Sequence, residues 1–592
     1  MRRAFLVVLL LVASPMAAPP SAAQPPSAAQ PAGEAFGELR DAWWAWRLEQ
    51  DPLFASYVGE RSYDDRLEDV SPSAHAARAA QAAAFLRQLD AIDPNELAAQ
   101  QAISHGILRT LLDDVVQAER FGEAEMPFQA SSGFHTDLTR LPGQMPFDGV
   151  EGYENYLARL RAWPAHVEAQ IANLRLGLAS GRTLPAVAIH GLPATAAAHV
   201  VDDPEASVFW APFERFPATL PAAEQDRLAA AGRAAIREAI VPGYRALARF
   251  LEDEYLPGAR TTTGLRETPE GAAAYAWRVR HFTTLDVSPQ EVHDVGLAEV
   301  ARIRAEMEAV IEEVGFEGSF DDFLTFLRTD PQFVPRSPEA LLKEGAWIAM
   351  QMNARLPSLF GTLPRLPYTV EPVPDFLAPT FTAGFYVEPP ASGLVPGVYW
   401  LNTYDLPSRR TWALEALTFH EAVPGHHLQI ARAQELTDLP AFRRALVLTA
   451  YEEGWGLYAE SLGTEAGFYT DPYSRFGRLT YEMWRACRLV VDTGLHAFGW
   501  DRQRAVDYLG SNTALSDLEV TTEIDRYIAW PGQALGYKMG ELTIRRLRTE
   551  AERVLGERFD IRAFHDEVLR HGELPMGVLE TVIEEWIATQ EG

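Results

Sequence analysis

The chain has 592 residues, with 52 lysines and arginines against 82 aspartates and glutamates, a formal net charge of −30. Its 47% apolar content is that of a folded protein rather than a disordered polyelectrolyte. The negative balance, without any long basic run, argues against a nucleic-acid partner, and the single cysteine, Cys487, allows neither an internal disulfide nor a cysteine-based zinc site.

The N-terminus reads Met1-Arg2-Arg3, then an apolar run over 4–13, then small residues with a plausible cleavage point at Ser21-Ala22-Ala23. Residues 1–23 therefore read as a secretory signal. The apolar run falls short of the roughly 20 residues that span a bilayer, so no stable membrane insertion is expected. No cysteine lies near the cleavage point, which argues against a lipid anchor. The expected destination is the periplasm or the medium, as a soluble protein. Residues 24–35 form a Pro/Ser/Ala/Gln linker. Residues 36–592 read as a single catalytic domain, divisible into two helical lobes at about 36–330 and 331–592.

Helical signals dominate up to about residue 330. Ser71 precedes Pro72, a capping serine before a proline at the first helical position. Ser288 and Glu291 form a capping box, opening a helix with Val292, Ile303, Met307 and Val310 on one face and Gly315 as terminator. Residues 361–406 differ. Tyr368-Thr369-Val370, Phe385-Tyr386-Val387 and Val398-Tyr399-Trp400-Leu401 read as short strands between turns. Helical character returns from about Ser408. The expected class is mainly α, a large multi-helix protein with a small β-sheet before its most histidine-rich segment.

That segment is His420-Glu421-Ala422-Val423-Pro424-Gly425-His426-His427. A histidine followed by glutamate is how a zinc-peptidase helix begins, but there the second histidine comes four residues after the first. Here, on a regular helix, His420 and His426 stand about 9 Å apart along the axis and about 120° apart around it. A single zinc needs both nitrogens at about 2.0–2.1 Å. Pro424 removes a backbone donor and Gly425 accepts any backbone shape, so a two-residue bulge at this pair could restore a shared face. That favours His426 over His427 as partner to His420, with His427 as a neighbouring polar group. A carboxylate from Tyr451-Glu452-Glu453-Gly454-Trp455-Gly456 would complete the set, Glu453 before Glu452.

The string His-Glu-Ala-Val-Pro-Gly-His-His-Leu-Gln, followed by Glu-Gly-Trp-Gly-Leu-Tyr-Ala-Glu, resembles the bacterial family known as domain of unknown function 885. That family is grouped with gluzincin-like metallopeptidases, among them the oligopeptidases and angiotensin-converting enzyme. The resemblance implies a metallopeptidase-like fold, one zinc ion at His420, His426 and Glu453, and Glu421 as general base. Relatives use a downstream His or Tyr toward the oxyanion, which nominates His496, Tyr527 and Tyr537. Strand 398–403, with Tyr399 and Asn402, could offer an edge to an extended peptide, and Lys538 could hold a substrate carboxylate. The expected activity is zinc-dependent hydrolysis of short peptides. Two alternatives stay open: hydrolysis of another amide or ester, and a non-catalytic exported binding protein. Oligomeric state is not readable.

Overall fold

The computed structural model describes residues 31–591 except 131, 376, 379–381 and 390–394. The predicted signal, residues 1–23, lies outside the described residues. The linker is shorter than its composition suggests: helix α1 (Ala32–Gln50) begins inside the predicted 24–35 span.

The protein is mainly helical. After α1 come α2 (Pro52–Tyr57), α3 (Pro72–Leu89), α4 (Ala99–Phe121), the 31-residue α5 (Val150–Ser180) and α6 (Pro289–Val314). The sheet follows, with β1 (Tyr368–Pro372), β2 (Gly384–Val387) and β3 (Gly397–Leu401). Helices α7 (Leu414–Glu421), α8 (His426–Glu435), α9 (Thr449–Glu465), α10 (Pro472–His496), α11 (Asp517–Ala529), α12 (Leu535–Leu555) and α13 (Met576–Glu591) complete the part that matters for the site.

The predicted caps are in place. The Ser71 side chain accepts from the Ala74 N–H with Pro72 at the helix start. Ser288 and Glu291 cap each other's backbone, and Gly315 closes α6 at φ 65°, a left-handed conformation that glycine adopts without penalty. The apolar face of α6 then packs along α10, so closely that Gly296 meets Leu489 and Val490.

Two cores hold the chain together, and they do not follow a division at residue 330. One gathers Phe36–Leu112 with residues 300–587. The other gathers residues 121–292 and takes in Leu489, Leu535 and Met539. Helices α10 and α12 thus contribute to both, because each presents apolar side chains on opposite faces.

The sheet order is β1-β3-β2, with β1 parallel and β2 antiparallel to β3. This corrects one expectation. Strand β3 is the central strand, so the segment 398–403 offers no free edge; the edge nearest the histidine segment is β2. Alternation along β3 sends Tyr399 and Leu401 into the core. Among the described residues, no helix is long and apolar enough to cross a membrane.

Candidate metal centre

Helix α7 ends at Glu421 and a new helix, α8, starts at His426. The predicted bulge is therefore a full break across Ala422–Gly425. Pro424 cannot donate to the ladder. Gly425 lies so close to the preceding turn that a Cβ there would sit 1.9 Å from the His420 carbonyl oxygen. The break turns the two imidazoles toward each other, with ring centroids 4.6 Å apart and planes at 87°.

Helix α9 supplies the carboxylate. One ligand atom each from His420, His426 and Glu453 lies within 4.8 Å of the others. Glu453 Oε2 is 3.3 Å from His420 Nε2 and 3.6 Å from His426 Nε2. His420 Nδ1 faces Glu460 Oε1 at 2.9 Å. A neutral His420 donates its Nδ1–H to that carboxylate and aims the Nε2 lone pair at Glu453. Between them is Gly456, where a Cβ would come within 2.8 Å of the imidazole. Glu453, Gly456 and Glu460 follow steps of three and four and share one face of α9.

The electrostatics favour positive charge between these groups. Burial works against a charged His420, yet hydrogen bonding to Glu453 and Glu460 overrides it and lifts the pKa to about 9. His426 is also raised, against burial, by Glu453. Burial would raise Glu453, but the two histidines hold it well below the usual carboxylate range. Two imidazoles and one carboxylate, each with a lone pair turned inward, are the borderline-soft nitrogen and oxygen donors that suit zinc. The donor set fits a single divalent ion. His426 Nδ1 is buried with no partner among the described residues.

Glu421 follows His420 on α7, and its Oε2 accepts the Tyr386 N–H of β2 at 2.9 Å. Tyr537, at the start of α12, is part-exposed and sets its hydroxyl against Glu453; burial and that negative charge push its pKa up to about 12. Arg488 lies 4.2 Å from the Tyr537 ring centroid.

Several nominated residues are elsewhere or fully occupied. His496 is buried, donating Nε2–H to the Tyr527 carbonyl at 2.9 Å and accepting from Leu265 N–H at Nδ1, 3.0 Å away. Burial drives its pKa down to about 3, so it is a neutral structural histidine rather than an oxyanion donor. The Tyr527 hydroxyl donates to Glu523 and accepts from Arg488 and Trp484, which leaves nothing for a substrate. Lys538 is fully buried between Glu541, Glu299 and Glu482 at 2.9, 3.0 and 3.0 Å, so it is no substrate anchor. Asn402 donates to the Ala378 and Thr382 carbonyls and accepts from Tyr404 N–H; it clamps a loop. Tyr399 is buried with its hydroxyl near Thr418. His427 turns to the sheet, with Nδ1 2.9 Å from the Tyr386 hydroxyl.

Sequence reasoning passed over Glu460 and Tyr386. The first had a signal, since it follows Glu453 by seven residues, two turns along the same face. The second acts through its backbone and had none.

A family profile described as bacterial protein of unknown function (DUF885) matches residues 52–583. A solved structure of a lipoprotein candidate from Colwellia psychrerythraea is 28% identical, with TM-score 0.86, over 94% of this chain and 99% of that one. A lipoprotein candidate of unknown function from Shewanella oneidensis shares the fold at 17% identity and TM-score 0.72, over 93% and 99% of the two chains. No curated protein matches. With nearly its whole length covered by the profile, the chain belongs to the DUF885 family.

Proposed function

We propose that this protein is an exported zinc-dependent hydrolase of peptide bonds in short peptides, akin to the gluzincin metallopeptidases. The reading is carried by the convergence of His420, His426 and Glu453 beside a backbone-held Glu421. His420, His426 and Glu453 would hold the ion, and Glu460 would fix the His420 ring. Zinc in such a site supplies Lewis acidity toward a carbonyl and acidifies water.

The remaining chemistry belongs to the chain. Glu421 takes a proton from the attacking water as its oxygen adds to the scissile carbonyl carbon, then returns that proton to the amine nitrogen as the C–N bond breaks. The Tyr386 N–H keeps the Glu421 carboxylate in one orientation. Tyr537 donates its hydroxyl proton in a hydrogen bond to the developing oxyanion. The Arg488 guanidinium against the Tyr537 ring holds that ring in place.

Metal analysis of the purified protein, followed by digestion of a mixed peptide library read by mass spectrometry, tests this. Near-stoichiometric zinc and new peptide termini are expected. Glu421→Gln should keep the metal and lose about 10²- to 10⁴-fold in turnover. Tyr537→Phe should lower kcat by about 10²-fold with little change in KM. An intact library with zinc bound would end the peptidase reading, and absence of zinc would end the metal reading.

A further inference from the structure

The two histidines that open α8 face different ways, and only His426 turns to the candidate metal centre. His427 is 2% exposed and turns to the sheet. Its backbone N–H donates to the Ala422 carbonyl at 3.1 Å, which ties it to the break after α7. Its imidazole contacts two tyrosine rings, with centroids 4.4 Å away at Tyr368 of β1 and 5.5 Å away at Tyr386 of β2. The Tyr368 hydroxyl accepts from Asn353 Nδ2 at 2.9 Å, so that ring is anchored in turn. The Tyr386 hydroxyl meets His427 Nδ1 at 2.9 Å.

Tyr386 makes a second bond with its backbone. Strand β2 is an edge strand, paired with β3 on one side. The Asn402 N–H donates to the Ala383 carbonyl at 2.9 Å, and in the same register Phe385 lies opposite Trp400 and Val387 opposite Val398. Antiparallel pairing alternates, so Gly384 and Tyr386 turn their N–H and C=O groups away from β3. The outward Tyr386 N–H is the one that Glu421 Oε2 accepts, at 2.9 Å. The Tyr386 side chain is only 5% exposed. A Cβ on Gly397 of β3 would collide with its hydroxyl, so the neighbouring strand leaves room for the phenol. One residue therefore holds Glu421 with its main chain and His427 with its side chain.

We infer that His427 is a positioning residue for Glu421: through the Tyr386 hydroxyl it pins the edge strand, and the pinned strand holds the carboxylate. This goes beyond the proposed chemistry and rests on it only for the part that Glu421 plays as base. The path runs from His427 across to β2 and back to Glu421, which adjoins His420 as His427 adjoins His426. The base is thus tied to the same helix start that carries a candidate ligand. Misplacing a reacting group by about 1 Å costs on the order of 10²-fold in rate, so a strand free to shift would matter to the base.

Hydrogen exchange reads the strand without turnover. In Tyr386→Phe, which keeps the backbone N–H and the ring, exchange at amide 386 should quicken by about tenfold, read by mass spectrometry on overlapping peptides. His427→Leu should do the same, while the pairing of β1 with β3 keeps its protection. Zinc affinity, from competition with a chelator, should be unchanged in both. In peptide turnover kcat should fall by about 10- to 100-fold with KM unaltered. The double variant should be no worse than either single one, because both remove the same bond. His427→Asn, whose side-chain amide reaches the place of Nδ1, should recover part of kcat.

Wild-type exchange at amide 386 in Tyr386→Phe would overturn the inference. So would quicker exchange with wild-type kcat, and so would a loss of zinc affinity in step with kcat, which would make His427 a support for His426 instead. Thermal melting checks the variants; should His427→Leu fail to fold, Tyr386→Phe carries the test. If wild-type protein cleaves no peptide, the hydrolase reading falls, and exchange at amide 386 alone decides whether His427 holds the strand that carries Glu421.

Discussion

Around Lys538, the glutamates Glu299, Glu482 and Glu541 converge on one ammonium, with Arg302, Arg478 and Arg545 pairing from the outside. Around Glu452, burial and then the negative charges of Glu573 and Glu388 push the carboxyl up to about 8, opposed by His426. Helix α12 carries the lysine of the first group; α9, its packing partner, carries the acid of the second. The protein shows in the first group how it treats buried carboxylates that only need to be stable: it supplies their countercharge itself. A buried carboxyl held by its neighbours' negative charge costs folding energy, and that cost falls one residue from Glu453 of the candidate metal centre.

The largest effect that would break this contrast is removal of the internal countercharge. Lys538→Met removes the buried ammonium that three carboxylates share, leaving them only their outer arginines, and should lose about 3 kcal/mol in urea unfolding; a loss under about 1 kcal/mol would make the two groups alike. Next comes Glu460, a buried carboxylate with an orienting task. Glu460→Gln should weaken zinc binding by about 10- to 100-fold, measured by competition with a chromophoric chelator. Unaltered affinity would mean that Gly456 and packing alone set the His420 ring.

A pH series sharpens the contrast. Folded Glu573 keeps its proton up to about 8, whereas the unfolded chain releases it near 4.5. Between those values the folded state binds the extra proton, so stability should fall as pH rises through that window and level off above it. Glu573→Gln should remove on the order of 1–2 kcal/mol of that decline between pH 5 and 9, read from unfolding midpoints against the parent. A parallel decline in both proteins would place the titrating group elsewhere. The smallest expected effect is Glu452→Gln, which should leave stability unchanged or raise it by about 0.5 kcal/mol in the same unfolding measurement.

What could be read from the sequence was local. The serine caps of α3 and α6, the three strand segments and the Pro424-Gly425 break each follow from a few neighbouring residues. The convergence of His420, His426 and Glu453 was legible because a helix-breaking pair sits where the histidine spacing needs one. Burial was not legible. Lys538, His496, Tyr527 and Asn402 carry polar groups suited to a substrate, and tertiary packing gives each of them protein partners instead. The central position of β3 depends on strand order, which no short pattern specifies.

One stretch of α9 works as a ruler. Glu453, Gly456 and Glu460 touch the same imidazole at its tip, its flat side and its base, so their roles are locked to a single helical phase. An insertion or deletion of one residue inside 453–460 would rotate Glu460 by about 100° relative to Glu453 and undo ligand, clearance and support together. Length variation should therefore be barred from these eight positions even where side-chain changes are tolerated around them.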